Sequence, residues 1–491
     1  MPTVEHKKYT PGDKLKIVTN TGSIEGILLQ RPATLPDTSM IIKLDSGYNI
    51  GIEKKHIKTI ELLEKHQEKE GVREEEREEG KAAAHLKEDK TKKTISILHT
   101  GGTIAARVDY KTGAVVAKFT PEHLLQQVPE LKDIANFRSD LVSNLQSESI
   151  RAAHYNLIAK AVEKEIGHHS DGIIVTHGTD TLHYTAAALS FMFENLPIPL
   201  ILVGAQRSSD RGSSDAFMNL ICASTFIKET NFTGVAVCMH STTSDTSCMI
   251  LPGTKTRKMH TSRRDAFTAI NTLPIAEINY KTKKIVFFQE QVEEKEMKKE
   301  KDEERNKKDE GIRGGKEGKE ENEERNKKDE GTKEIKGGMK ITFFKEDVKV
   351  GLLKTHTFMF PEDYAHYKHH DGLIIEGTGL GHAQTTGFDR SSAMNEENKK
   401  ALAEIAKKIP VVMTSQCING RVNMNVYSPQ RELQQIGVIG GEDMTAETAL
   451  VKLAWLISNH KDKEEIKQLM QTNLRGEITE RTIIEEHVMK L

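Results

Sequence analysis

Gly172-Ile173-Ile174-Val175-Thr176-His177-Gly178-Thr179-Asp180-Thr181 is the stretch on which the fold reading turns. Gly172 to Thr176 is a short apolar, β-branched run, as a strand buried on both faces requires. His177-Gly178 breaks it, and Leu182 to Phe193 then reads as a helix. Strand, glycine turn and helix in that order make one βα unit. The same pattern recurs on either side. Ile95-Ser96-Ile97-Leu98 precedes the glycines of Thr100-Gly101-Gly102-Thr103-Ile104, Pro199 to Val203 and Gly234 to Met239 read as strands, and Asp215 to Ile227 reads as a helix. Apolar strands alternating with helices imply a parallel sheet covered on both faces. Further on, Val348 to Lys354, Gly372 to Glu376 and Pro410 to Thr414 read as strands, with helices at Asn395 to Lys408 and Ala446 to Asn459. The expected class is α/β: a doubly wound domain over residues 94–289 and a smaller C-terminal α/β domain over residues 339–491.

Three stretches fall outside this pattern. Residues 1–62 hold short apolar runs between turn signals, from Leu15-Lys16-Ile17-Val18 to Met40-Ile41-Ile42-Lys43-Leu44. They read as a small SH3-like β-barrel. Residues 63–93 are charge-dense, with Glu74-Glu75-Glu76-Arg77-Glu78-Glu79 at their centre, and read as a linker. Residues 290–338 are almost entirely polar and repeat themselves, since Glu303 to Gly311 recurs at Glu323 to Gly331. A duplicated polar tract inside a globular domain reads as a disordered surface insertion, with a charged docking tail as the rival reading.

The 491 residues carry a net charge of −2, so no overall basic field points to nucleic-acid binding. Cys222, Cys238, Cys248 and Cys417 show no C-x-x-C spacing, which argues against a zinc site or a disulfide framework and for reduced thiols. The first residues are polar and show no signal-peptide pattern. The longest apolar run, Leu196 to Ala205, contains a proline and is too short to span a bilayer. A cytoplasmic location is the resulting expectation.

Two glycine turns carry hydroxyls at the carboxyl ends of strands, where open α/β sheets bind ligands. In the first, the Thr103 hydroxyl can attack a carbonyl while backbone N–H groups hold the oxyanion. A strand-terminal turn with a threonine cap explains the same residues. In the second, Thr179 stands beside the carboxylate of Asp180; a helix-capping turn again explains the pair. Two such turns in one domain favour chemistry. Lys258, in Gly253-Thr254-Lys255-Thr256-Arg257-Lys258, reads either as a surface lysine or as a desolvated amine that takes a hydroxyl proton.

TGGTI at Thr100–Ile104, HGTDT at His177–Thr181, GAQR at Gly204–Arg207 and the lysine nine residues before Phe267 together resemble the bacterial-type asparaginase/glutaminase family. The resemblance runs from about Thr94 to Leu491, apart from the insertion. It implies an asparaginase-like fold that uses no metal or organic cofactor. It implies that Thr103 is the nucleophile, with Tyr110 as its activating tyrosine. Thr179, Lys258 and Asp180 would be the second hydroxyl, its base and that base's carboxylate partner. Ser147 and Glu148 would bind the substrate's α-carboxylate and α-amine.

About 90 residues precede the first motif, and this arrangement resembles the D subunits of archaeal tRNA-dependent amidotransferases. That resemblance implies a glutaminase supplying ammonia to an E subunit. The E subunit uses ATP and Mg2+ to convert Glu-tRNA(Gln) to Gln-tRNA(Gln), in a heterotetramer built on a homodimer of this chain. Glu148, where many asparaginases carry glutamine, fits the longer substrate. A free-standing L-asparaginase is the alternative.

Overall fold

A computed structural model describes residues 9–10, 12–29, 38–44, 49–65, 89–101, 106–108, 115–117, 128–207, 214–288, 332–335 and 338–481. The amino-terminal unit is one antiparallel sheet of β1 (Lys14–Thr19), β2 (Ser23–Leu29), β3 (Ser39–Lys43), β4 (Asn49–Glu53) and β5 (Ile57–Glu64), in the order β4-β3-β2-β1-β5. Alternate residues of β1 and β3 point inward, and Leu15, Ile17, Met40, Ile42, Ile52 and Ile57 form its core. The β1–β5 ladder shifts register at Lys14/Leu15 and at Val18/Thr19. Such bulges bend a small sheet over its own core. Of the charge-dense stretch, residues 66–88 lie outside the described residues.

The central sheet has eight strands: β6 (Thr94–Gly101), β7 (Asn136–Leu145), β8 (Gly172–Thr176), β9 (Pro199–Val203), β10 (Gly234–His240), β11 (Ser247–Pro252), β14 (Ala276–Asn279) and β15 (Ile285–Phe287). Between them, β12 (Thr256–Lys258) and β13 (Phe267–Ala269) form a separate hairpin. The sheet order is β15-β14-β11-β10-β9-β8-β6-β7. The five strands from β10 to β7 run parallel, and the other three extend the sheet antiparallel. Every residue of β8 and β9 is buried, which is why both read as unbroken apolar runs. Successive parallel strands from β7 to β10 are connected by α1 (Ala152–Gly167), α2 (Leu182–Met192) and α3 (Ala216–Glu229).

The smaller sheet holds β16 (Val350–Lys354), β17 (Gly372–Gly377), β18 (Val411–Ser415) and β19 (Val438–Gly440), all parallel. It carries α4 (Met394–Lys408), α5 (Ser428–Gln435) and α6 (Ala446–Asn459). Thr445 caps α6 by accepting from Thr448 N–H.

Helix α2 fixes how the two domains meet. All of its residues but Tyr184 are buried, and Ala186, Ala187 and Ala188 let neighbouring elements approach closely. One hydrophobic core runs from α2 into α6, with Phe191 stacked on Trp455 at 5.9 Å. The turn that opens α2, His177–Thr181, is therefore held by a helix with almost no solvent-facing side. Of the polar tract, residues 290–331 and 336–337 lie outside the described residues. Residues Thr332–Ile335 form a strand paired with Met339–Thr342, which in turn pairs with Phe193–Glu194. The last part of that tract thus joins a three-stranded sheet, a backbone pairing that its composition does not reveal. The four cysteines are free, three of them buried. Among the described residues no helix is long and apolar enough to cross a membrane.

Candidate active site

The carboxyl ends of β6, β8 and β9 lie side by side, and each leads into one of the glycine motifs. β6 and β8 are locked together at that end. Thr100 Oγ1 donates to Thr176 O at 2.9 Å, and His99 Nδ1 lies 2.9 Å from Thr176 Oγ1. Gly101 has φ +108°, and a Cβ there would sit 2.3 Å from Leu145 O. Only glycine fits that conformation and that approach. Thr103 and Tyr110 follow it and lie outside the described residues.

At the end of β8 the turn places Thr179 inward, 8% exposed, and Asp180 outward. Lys258 reaches them from β12. Its Nζ donates to Thr179 Oγ1 at 2.8 Å and to Asp180 Oδ1 at 2.8 Å. The lysine side chain is 10% exposed and that of Asp180 is 66% exposed. One ammonium therefore bridges a buried hydroxyl and a solvent-facing carboxylate. The Thr179 hydroxyl lies 3.4 Å from Gln206 Oε1, the direction left for its own proton while the lysine donates. Withdrawal of a proton from the lysine would reverse the polarity of the first contact and turn the amine into a base for Thr179.

The turn Ser147–Ser149 closes the other side. Thr181 Oγ1 donates to Ser147 O at 2.6 Å, and Ser147 is buried while Glu148 is exposed. A Cβ on Gly178 would stand 2.7 Å from both Cβ and Oγ of Ser147. Gly178→Ala is accordingly expected to push the Ser147 turn outward. Steady-state kinetics on a small amide amino acid should show a raised KM, larger than any fall in kcat.

Three histidines surround these turns in their neutral form. His177 is fully buried, with Nδ1 donating to Gly178 O at 2.7 Å and Nε2 2.8 Å from Thr185 Oγ1. Burial pushes His99, His177 and His183 each down to about 4. Their folded values lie below the ordinary 6.5, so between these limits the unfolded chain binds protons that the native chain does not. Stability from these groups is complete above pH 6.5 and falls as pH drops toward 4. Each histidine withdraws about 1.4 kcal/mol per pH unit in that window. Thermal unfolding followed from pH 7 to pH 4 is expected to show Tm falling throughout; a flat profile would contradict this.

The hairpin bearing Lys258 is anchored on the smaller domain. Lys255 Nζ meets Asp443 Oδ2 at 2.6 Å with both side chains buried, and Arg257 pairs with Glu447 at 3.0 Å. Thr448 Oγ1 also donates to Thr254 O at 2.8 Å. Lys258 thus approaches Thr179 from an element fixed by residues about 190 positions away. Of the residues expected from the sequence, Thr179, Asp180 and Lys258 are in direct contact. Ser147 joins them through Gly178 and Thr181, and Glu148 lies on the same turn. Gln206 and Asp443 were given no role by the sequence. Gln206 sits in the quoted GAQR motif, a signal that was available, whereas nothing local marks Asp443. Among the described residues no group of three or more His, Cys, Asp or Glu side chains is placed to hold a metal ion.

Residues 94–293 match the asparaginase N-terminal family, residues 349–470 the glutaminase/asparaginase C-terminal domain and residues 9–63 the GatD N-terminal domain. The D subunit of glutamyl-tRNA(Gln) amidotransferase from Methanococcus maripaludis is 42% identical over 96% of this chain and 98% of its own length. The protein of the same name from Pyrococcus furiosus is 42% identical over 97% of this chain and 96% of its own. Among solved structures, the thermostable L-asparaginase from Thermococcus kodakarensis superposes with a TM-score of 0.61 at 28% identity, covering 79% of this chain and all of that one. With relatives this similar along almost the whole length, the chain belongs to the family of glutamyl-tRNA(Gln) amidotransferase D subunits, built on an asparaginase-type core.

Proposed function

We propose that this chain is the glutaminase subunit of a tRNA-dependent amidotransferase: it hydrolyses glutamine and releases ammonia for a partner protein that converts Glu-tRNA(Gln) to Gln-tRNA(Gln). The observation that carries the chemistry is the double contact of Lys258 Nζ with Thr179 Oγ1 and Asp180 Oδ1. Folding does not require a mostly buried amine to sit on a hydroxyl. General-base activation of that hydroxyl does.

In this reading Thr103 attacks the side-chain amide carbon, with Tyr110 assisting. Thr179 and Lys258 relay the proton that converts the leaving nitrogen to ammonia. Asp180 holds the lysine and meets the substrate amine, while Ser147 and Glu148 bind the α-carboxylate and α-amine. Water then releases glutamate from the acyl-threonine. ATP and Mg2+ belong to the partner, the E subunit, as does most contact with the tRNA. The chain acts as a homodimer within a cytoplasmic heterotetramer. The amino-terminal β unit, common to this chain and the GatD N-terminal domain family, favours this role over that of a free-standing asparaginase.

The test is ammonia release from glutamine and from asparagine, with and without the E subunit and Glu-tRNA(Gln). Glutamine turnover that rises when both are present supports the proposal. A chain that prefers asparagine and ignores the partner refutes it.

A further inference from the structure

Asp215 is a completely buried carboxylate whose described partners are not cations. Its two oxygens accept from Gln206 N at 3.0 Å each, and Oδ1 also accepts from Arg207 N at 3.0 Å. Among the described residues no salt bridge reaches it. A buried charge is costly to desolvate, and backbone N–H groups together with Asn219 Nδ2 at 3.3 Å offset that cost here. Asn219 is also fully buried, and its Nδ2 donates to Gly204 O at 3.0 Å. Both ends of Gly204–Arg207 are therefore clamped. The clamp lies tight against the Thr179 side chain, since a Cβ on Gly204 would be 2.9 Å from its methyl carbon Cγ2.

The polar chain continues from there. His240 Nδ1 donates to Asn219 Oδ1 at 2.6 Å, and its Nε2 lies 3.4 Å from Asp245 Oδ1. Asp245 is paired with Arg264, which sits in the turn joining the two strands of the Lys258 hairpin. The path thus begins beside Gln206 on one side of Thr179 and ends on the hairpin that brings Lys258 to the other. At its near end, Gln206 Oε1 faces the Thr179 hydroxyl, while Gln206 Nε2 is buried without a partner among the described residues. An unsatisfied buried amide donor beside a reactive hydroxyl is positioned to be completed by a ligand.

We propose that Asp215 is a positioning residue: it fixes the Gln206 backbone so that the side-chain amide is held against Thr179, and Asn219, His240 and Asp245 tie that loop to the Lys258 hairpin. The inference rests on the amide-hydrolysing reading of the site. It adds a role for Gln206, whose free Nε2 donates to the bound amide substrate.

A double-mutant cycle on the full chain tests it, assayed with L-glutamine under the conditions of highest turnover. Asp215→Asn puts an amide where two backbone donors need acceptors. It is expected to lower kcat by about 100-fold with little change in KM, as a misplacement of about 1 Å does. Gln206→Ala should cost a comparable factor, and the double variant should be no worse than either single one. Losses that multiply, or an undiminished kcat in Asp215→Asn, overturn the proposal. If Asp215→Asn does not fold, His240→Leu takes its place. That variant should lower kcat, and His240→Asn, which keeps a donor toward Asn219, should restore it; unchanged kcat in His240→Leu overturns the proposal. A wild-type chain that releases no ammonia from glutamine or asparagine refutes the functional reading itself, and this inference with it.

Discussion

Lys258→Met is expected to reduce kcat for amide hydrolysis by about 1,000-fold while leaving the fold intact. The lysine is the described group that can take the Thr179 proton, and loss of a positioned base typically costs 10²- to 10⁴-fold. Methionine keeps most of the apolar stem and removes the amine. The stability cost is small because Asp180 is 66% exposed, and so open an ion pair contributes about 0–1 kcal/mol. Thr179→Ala should produce a loss of the same order, and the double variant should add little, since hydroxyl and amine act as a unit. Steady-state ammonia release read beside thermal unfolding separates the two effects. Full turnover in either variant would remove that residue from the mechanism, and a collapse of Tm would make its role structural.

The second large effect concerns stability. Asp443→Ala is expected to cost about 3–5 kcal/mol, because it strands the buried ammonium of Lys255 without its partner. Burial alone pushes the Lys255 amine below its ordinary range, and the Asp443 carboxylate opposes that shift. Asp443 also accepts from Thr479 N–H at 3.0 Å, so its loss frees a second segment. Replacing the pair together, by Lys255→Met with Asp443→Leu, should recover much of the loss, since the Lys255 ammonium is then no longer left buried without its partner. Urea unfolding of the two variants beside the unsubstituted chain measures this directly. Equal losses in the single and double variants would show that packing, and not the stranded charge, sets the cost. Because Lys255 stands three residues before Lys258, the single variant is also expected to lose activity before it loses global structure.

Which parts of this architecture were legible in the sequence follows from how each part is held. β8 and α6 have the bounds read from composition, Gly172 to Thr176 and Ala446 to Asn459, because a strand or helix buried on most sides is largely apolar. β7 was not legible. Asn136–Leu145 has no fully buried residue, and its parallel pairing with β6 is made across 42 positions of sequence. The α1 helix and the Lys258 hairpin were missed for related reasons: one is only partly apolar, and the other is three residues to a strand. At the site, the glycine turns announced themselves, whereas Lys258 read from its own segment as an ordinary surface lysine. Its proposed role depends on a contact 79 positions away, and the anchor that aims it, Lys255 with Asp443, spans 188. Local pattern locates the turns; long-range packing decides what reaches them.

An experimental structure of the Lys258→Met chain with L-glutamine bound bears most directly on the whole account. The side-chain amide carbon is predicted to lie between the hydroxyls of Thr103 and Thr179, with one of them within about 3–3.5 Å, the distance of an attacking group. Glutamine seated away from Thr179, or a Thr103 hydroxyl turned out of the space that Thr179 and residue 258 share, would contradict it.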